Sequence, residues 1–310
     1  MAWNGLDEED VDLGDEIAKK QNVPKGLLDP KYAGSFNHFD MISNNLKVGT
    51  LIGVRGKPKS GKSHFANSAL IFHEQHPDID FMPKVRPFFY IDTHFGSRRT
   101  WWKFKKYISE KFEPGDPNGI YLLTPFDEDS GKMASGENFV NIIDQSINYA
   151  LEQMKLHNGG MVVIDSITDY QHNLNLMVKK DLGMDEMDNL QPTRYQKRNR
   201  KLKQLILRLK RYGNGILIAD DKEVYSDAKL TPTNMYAADW YHKVPNWVDI
   251  VLKIEKTGGS RKGTITESGY GIEADPESGF KEIEQVYVNP SYGDIIMAFK
   301  DRISIINSGD

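Results

Sequence analysis

From Phe36 onward, short apolar runs alternate with longer stretches of helical period. Residues 50–54, Pro87-Phe88-Phe89-Tyr90-Ile91, Ile120-Tyr121-Leu122-Leu123, Met161-Val162-Val163-Ile164 and Ile216-Leu217-Ile218-Ala219 have the length and composition of buried strands. Between them, Phe139, Ile142, Ile143, Ile147, Ala150, Leu151 and Met154 recur at helical spacing. Leu202, Leu205, Ile206, Leu209 and Tyr212 do the same, and Gly213-Asn214-Gly215 stops that helix. The alternation predicts an α/β fold with a mainly parallel central sheet. After residues 250–254 the pattern shortens. Segments 264–270, 283–289, 294–298 and 302–306 read as successive short antiparallel strands, a C-terminal antiparallel β extension from about residue 257. Residues 1–35 read as a flexible arm, acidic through Asp7, Glu8, Glu9 and Asp10, then broken by Pro24, Gly26, Pro30 and Gly34. Residues 36–310 form the domain.

Composition narrows the class. With 310 residues, 39% hydrophobic and 27% charged, the chain can bury a full core. No apolar run approaches the roughly 18–20 residues of a membrane-spanning helix, and residues 1–16 lack a signal-peptide core. Absence of cysteine excludes disulfides, thiol catalysis and Cys-based zinc sites. The expectation is a cytoplasmic protein with no membrane partner. A net charge of −4 means that any nucleic-acid contact must be local. The eight histidines show no ligand-type spacing.

Chemistry concentrates at Gly56-Lys57-Pro58-Lys59-Ser60-Gly61-Lys62-Ser63, which fits G-x-x-x-x-G-K-[ST]. Gly49-Thr50-Leu51-Ile52-Gly53-Val54 before it reads as a strand, and His64-Phe65-Ala66-Asn67-Ser68 after it begins a helix. In that setting the glycines let backbone N–H groups turn inward around phosphates, and the helix start adds a favourable dipole. The nucleotide-binding segment runs from Gly56 to His64. Lys62 is placed to reach the β/γ-phosphates and Ser63 to ligate Mg²⁺. Met161-Val162-Val163-Ile164-Asp165-Ser166 is an apolar run ending in an acid. A carboxylate at the C-terminal end of a parallel strand faces the ligand crevice and can hold Mg²⁺ through water. ATP and Mg²⁺ are therefore the expected cofactors, with Ser63 and Asp165 on the metal.

The order of these segments resembles the RecA-like P-loop ATPases over about residues 36–256. Phe39-Asp40-Met41-Ile42 and Leu46-Lys47-Val48-Gly49-Thr50 are similar to that family's lead-in, and VVIDSITD at 162–169 to its Walker B strand. Tyr90-Ile91-Asp92-Thr93 resembles a strand end that the family continues with a catalytic glutamate; here His94 follows. The resemblance implies a RecA-like P-loop NTPase core and ATP hydrolysis, with Lys62 and Asp165 catalytic. Water would be oriented by Asp92, by His94 or by neither, in which case hydrolysis is slow. It places Asp220-Asp221-Lys222 at the sensor position, where adjacent acids need the metal or Lys222 to offset their repulsion. It also implies a homo-oligomer, ring or filament, in which Lys253, Lys256, Arg261 or Lys262 reaches a neighbour's site. Trp101 and Trp102 are candidates to stack on adenine.

The layout resembles compact phage and archaeal RecA-type ATPases of recombination or single-strand annealing, which implies DNA as partner, single-stranded favoured. Segment 194–211 is rich in Lys and Arg and free of acids, a spacing suited to tracking phosphates. Segment 171–192 follows the Walker B strand with no clear period and reads as a polymer-contacting loop. Segment 223–246, with Tyr225, Tyr236, Trp240, Tyr241 and Lys243, reads as a second loop. A genome-packaging motor, a KaiC-like regulator and a nucleotide-gated assembly protein remain alternatives.

Overall fold

The computed structural model describes residues 47–94, 100, 113–127, 132–188, 190, 192–226 and 231–308. Val48–Ser308 groups as one compact unit; the other unit is Met1–Lys47. The expected arm, the lead-in residues before Lys47, and Trp101 and Trp102 lie outside the described residues.

Strand β1 (Leu51–Gly56) leads through the glycine-rich loop into α1 (Lys62–Ser68), a 3-10 turn and short α2 (Phe72–Gln75). Then come β2 (Lys84–Asp92), β3 (Ile120–Leu123), and the hairpin of β4 (Phe126–Asp127) with β5 (Lys132–Met133). Helix α3 (Gly136–Leu156), β6 (Gly159–Asp165), α4 (Ile167–Asp181), α5 (Gln196–Tyr212) and β7 (Asn214–Ser226) follow. The remainder is β8 (Thr231–Ala238), β9 (Ile250–Thr257), β10 (Ser260–Ser268), β11 (Val286–Val288), α6 (Tyr292–Ala298) and α7 (Lys300–Ser308). The main sheet has the order β11-β10-β9-β1-β7-β6-β2-β3. Strands from β9 to β3 are mutually parallel, while β10, β11 and β8 join antiparallel. The fold is thus α/β with a mainly parallel sheet and antiparallel strands toward the C-terminus, as the apolar runs predict.

The runs are continuous because the central strands are covered on both faces. Phe89, Ile91, Val162, Ile164, Leu217 and Ala219 pack under α3, α4 and α5. Their alternates Phe88, Tyr90, Met161, Val163, Ile216 and Ile218 pack with Phe65, Leu70 and Phe72, and with Ile295, Ile296 and Phe299 of the C-terminal helices. Each Ile or Phe buried in this way contributes about 2 kcal/mol.

Three expectations are corrected. Segments 294–298 and 302–306 are helical, within α6 and α7. Tyr292, Ile295, Ile296, Phe299 and Ile303 are all buried at helical spacing, and Ser291 with Asp294 forms a reciprocal capping box. Short Ile-rich runs disguised that period. Segment 171–192 is a loop only beyond Asp181, because α4 buries Tyr170, Leu174, Met177 and Val178 against the sheet. Segment 223–246 is not a free loop either: β7 outlasts its parallel neighbours, and residues 221–226 pair with β8 as a ribbon.

Candidate functional site

Sheet register assembles the site at the C-terminal ends of the strands. Gly56 on β1 pairs with Asp220 on β7, and Asp92 on β2 pairs with Asp165 on β6. Because β7 separates β1 from β6, the glycine-rich loop faces Asp165 across one intervening strand. This edge is where a parallel sheet opens its ligand crevice.

The loop needs its glycines for two different reasons. A Cβ on Gly56 would lie 2.2 Å from the Ile254 carbonyl oxygen of β9, so the backbone approach forbids any side chain. Gly61 has φ 111°, a left-handed value that other residues avoid. Lys62 follows it and is only 7% exposed. Its ammonium donates to the Gly56 carbonyl at 2.8 Å, the Lys57 carbonyl at 3.1 Å and an Asp220 carboxylate oxygen at 2.7 Å. The lysine is thus curled over the loop with its charge matched by Asp220, the last residue of β7 paired in parallel with β1. Ser60 Oγ, in the same loop, is buried and has no hydrogen-bond partner among the described residues. A buried polar atom left so costs about 1–3 kcal/mol unless a ligand supplies the bond.

Opposite the loop, the Ser63 hydroxyl donates to Asp165 Oδ2 at 2.7 Å and the Tyr90 hydroxyl donates to the same oxygen at 2.6 Å. Burial pushes the Asp165 carboxyl pKa up, against the opposing pull of these two donors. Asp92, 1% exposed, accepts the His94 backbone N–H at 3.0 Å. The His94 ring lies with Nε2 2.7 Å from Asp169 Oδ2. Thr93 Oγ1 and Ser166 Oγ also donate to Asp169. The Asp169 bond raises the His94 pKa against the effect of burial. Burial alone would raise the Asp169 pKa, but the His94 and Thr93 bonds outweigh it and lower it.

Asp220 and Asp221 do not repel across one face. Strand alternation sends Asp220 to Lys62, while Asp221 accepts from Arg55 Nε at 3.0 Å and Nη2 at 3.3 Å. The expected offset by Lys222 is corrected: its ammonium pairs with Asp239 at 2.6 Å. Lys57 of the loop stacks on the Tyr236 ring of the ribbon, 3.4 Å from its centroid.

The four basic residues of the β9–β10 hairpin differ sharply. Lys253 pairs with Glu255 at 2.8 Å, and Lys256 and Lys262 are exposed. Arg261 is half-buried and lies against the glycine-rich loop of its own chain. On α5 several cations are engaged within the chain: Lys197 with Asp181 at 2.6 Å, Lys210 with Asp249 at 2.6 Å, Arg208 with Asn148, and Arg198 over the Tyr195 ring.

Two residues of this site escaped sequence reasoning. Tyr90 reads as one more apolar strand residue, and nothing in the pattern reveals its hydroxyl. Asp169 did carry a signal, since Ser166-x-x-Asp169 has the spacing of a helix cap and Ser166 Oγ accepts the Asp169 N–H.

No protein-family model and no curated protein sequence matches the chain. Among solved structures it is similar to a prototypical ATPase from the type III secretion system of pathogenic bacteria, at 12% identity and a TM-score of 0.39. The likeness covers 67% of this chain and 53% of that one, so the chain spans about half the length of the structure it matches. So distant a likeness carries no argument. The class follows from the geometry: a strand, a glycine-rich loop closed by Lys62, a helix, and a facing strand-end carboxylate make a P-loop fold. Among the described residues, no helix is long and apolar enough to cross a membrane.

Proposed function

We propose that this chain binds Mg-ATP at the loop from Gly56 to His64 and hydrolyses it. The observation that carries this reading is the buried Lys62 ammonium, closing the loop opposite the Ser63–Asp165 contact. The residues fit a polyphosphate: Lys57, Lys59 and Lys62 crowd one loop, and the unpartnered Ser60 hydroxyl is a donor in the same place. Ser63 and Asp165 would hold Mg²⁺. Among the described residues no group of three or more acids and histidines could hold a metal unaided. That suits an ion which takes one or two protein ligands and shares the phosphates. When bound, Mg²⁺ offsets charge on the phosphoryl oxygens.

The chain's own residues supply the rest. Lys62 exchanges its Asp220 partner for phosphate oxygens, which frees Asp220 to accept a hydrogen bond from water beside the phosphates. Tyr90 holds Asp165 in place while its carboxylate serves the metal. Asp169 fixes the His94 ring through Nε2, leaving Nδ1 as the acceptor that orients the attacking water. Asp92 sets the His94 backbone. The absence of a glutamate at this position also supports slow turnover, as in a nucleotide-gated assembly protein.

The finer reading, an oligomeric ring or filament acting on DNA, rests on the basic outer face of α5. Contacts to Asp181, Asp249 and Asn148 occupy part of that face, so it supports DNA less than the sequence alone does. The primary test is Lys62→Ala, assayed with a fluorescent ATP analogue. Losing a buried charged donor should weaken Mg-ATP binding about a hundredfold. Unchanged affinity in a folded variant removes the nucleotide function altogether.

A further inference from the structure

Arg261 sits on the glycine-rich loop of its own subunit. A Cβ built on Gly61 would fall 2.2 Å from Arg261 Nε, 2.3 Å from its Cδ and 3.2 Å from its Cζ. The guanidinium therefore covers the residue that precedes Lys62. Its base is held firmly, because the Arg261 N–H donates to Asn289 Oδ1 at 2.9 Å and its carbonyl accepts the Asn289 N–H at 2.6 Å. On the other side Arg261 is in register with Lys256 of β9. The loop is held to the same strand, since Gly56 abuts the Ile254 carbonyl. Hairpin and loop thus form one packed unit.

Charge makes the placement informative. Lys57, Lys59 and Lys62 share the loop, and of these Lys62 is offset by a carboxylate, Asp220. No hydrogen bond or ion pair among the described residues engages the Arg261 guanidinium. A fourth cation brought against a cationic loop, without an acid, is electrostatically unfavourable until an anion arrives. A guanidinium also has the planar fork that phosphate oxygens match.

Position in the sheet says which phosphates. Strand β1 lies between β9 and β7. The Asp220 and Asp165 side of the loop is where Lys62 and Ser63 point, toward the reacting end of a bound triphosphate. Arg261 comes from the β9–β10 side, the opposite flank. We propose that Arg261 binds the α/β-phosphate portion of a nucleoside di- or triphosphate in its own subunit's site. This inference rests on the nucleotide reading above and refines it: the basic residue after β9 works in cis, on binding, and not in a neighbour's site on turnover.

The test compares wild type, Arg261→Ala, Arg261→Lys and Lys62→Ala by titration with fluorescent ADP and ATP analogues, with thermal melting to verify folding. Arg261→Ala should weaken ADP and ATP binding alike, about tenfold, with turnover at saturating ATP unchanged and Arg261→Lys intermediate. Wild-type affinity for both nucleotides in Arg261→Ala, beside a binding defect in Lys62→Ala, overturns the Arg261 role and leaves the nucleotide site standing. Wild-type affinity in Lys62→Ala overturns the site itself. A turnover loss with ADP affinity intact identifies a residue acting on the terminal phosphate and also overturns the proposal. Mixing the Arg261→Ala and Lys62→Ala proteins at ATP well below saturation, where weakened binding lowers the rate of Arg261→Ala, separates cis from trans. Recovered turnover shows donation between subunits and refutes the cis role; no recovery supports it.

Discussion

The glycine-rich half of the site comes from one continuous stretch, Gly56 to Ser63, whereas the carboxylate half collects Asp92, Asp165 and Asp169 from two strands and a helix. The first half is held by bonds within a few residues, such as Lys62 to the Gly56 and Lys57 carbonyls. The second half exists only because β2 and β6 pair in register and α4 begins at once after β6. Their electrostatics differ as well. Cations crowd the loop, while Asp92 and Asp165 opposite are buried, and Asp165 and Asp169 accept hydroxyl donors. Local construction makes the first half robust and readable; non-local construction makes the second dependent on the whole sheet.

The largest effect that tests this division is expected from Asp165→Asn. It removes the carboxylate onto which the Ser63 and Tyr90 hydroxyls converge, and leaves the loop untouched. Turnover should fall by about a hundredfold or more, the upper range for metal-site partners. Binding of ATP without metal should stay close to wild type, in contrast to Lys62→Ala, which loses nucleotide with or without Mg²⁺. Equal loss of metal-free binding in both variants would break the division into two halves.

A smaller effect is expected at His94. Its replacement by glutamate introduces the residue usual in the RecA-like sequences that the chain resembles, yet the ring Nε2 lies 2.7 Å from Asp169. A carboxylate there faces Asp169 with like charge, so His94→Glu should lower turnover by about tenfold, within the range for a positioned acid–base group. A rate above wild type refutes the His94–Asp169 arrangement as the working one. The same pair has a pH signature. Asp169 has its pKa lowered in the fold, so its contribution to stability is present above the ordinary value of 3.8 and fades as pH falls. His94 has its pKa raised by Asp169, helped by Asp165 and Asp220, so its contribution is full below 6.5 and fades as pH rises through the raised value. The pair therefore stabilises most between these limits. Asp169→Asn should lower the melting temperature within that window and remove the pair's share of the decline on either side of it; an unaltered profile would falsify the pairing.

Legibility in the sequence followed the same line. The P-loop, its strand and its helix were readable because chemistry and context lie within about twenty adjacent residues. The central strands were readable because they are buried on both faces and carry unbroken apolar runs. Tyr90 was invisible because its role depends on an oxygen 75 positions away, reached only through strand pairing. Arg261 could be named as a basic candidate, but its lie over Gly61 depends on β9 and β10 flanking β1. The C-terminal helices were misread because two-residue apolar clusters satisfy strand and helix periods about equally over five residues. The capping pair Ser291 and Asp294 was the local signal that decided for helix.

The smallest effect is expected on α5, the region farthest from this division. Arg194, in the 3-10 turn that leads into α5, and Lys203, on α5, are both exposed, and neither pairs with a carboxylate among the described residues. Reversing both to glutamate leaves the buried face of Leu202, Leu205, Ile206 and Leu209 intact, so melting should shift by no more than about 0.5 kcal/mol equivalent. ATP binding should not change, because neither residue belongs to the loop or to the carboxylate row. If this face tracks single-stranded DNA, each lost phosphate contact reduces the log–log salt slope by roughly 0.7, so the double variant should lose about 0.7 to 1.4. Anisotropy titrations with labelled oligonucleotide at several salt concentrations read this directly. A slope identical to wild type would count against DNA in the proposed function, because Lys197, Arg198, Arg208 and Lys210 already have partners within the chain. The nucleotide site would then serve assembly of the protein itself.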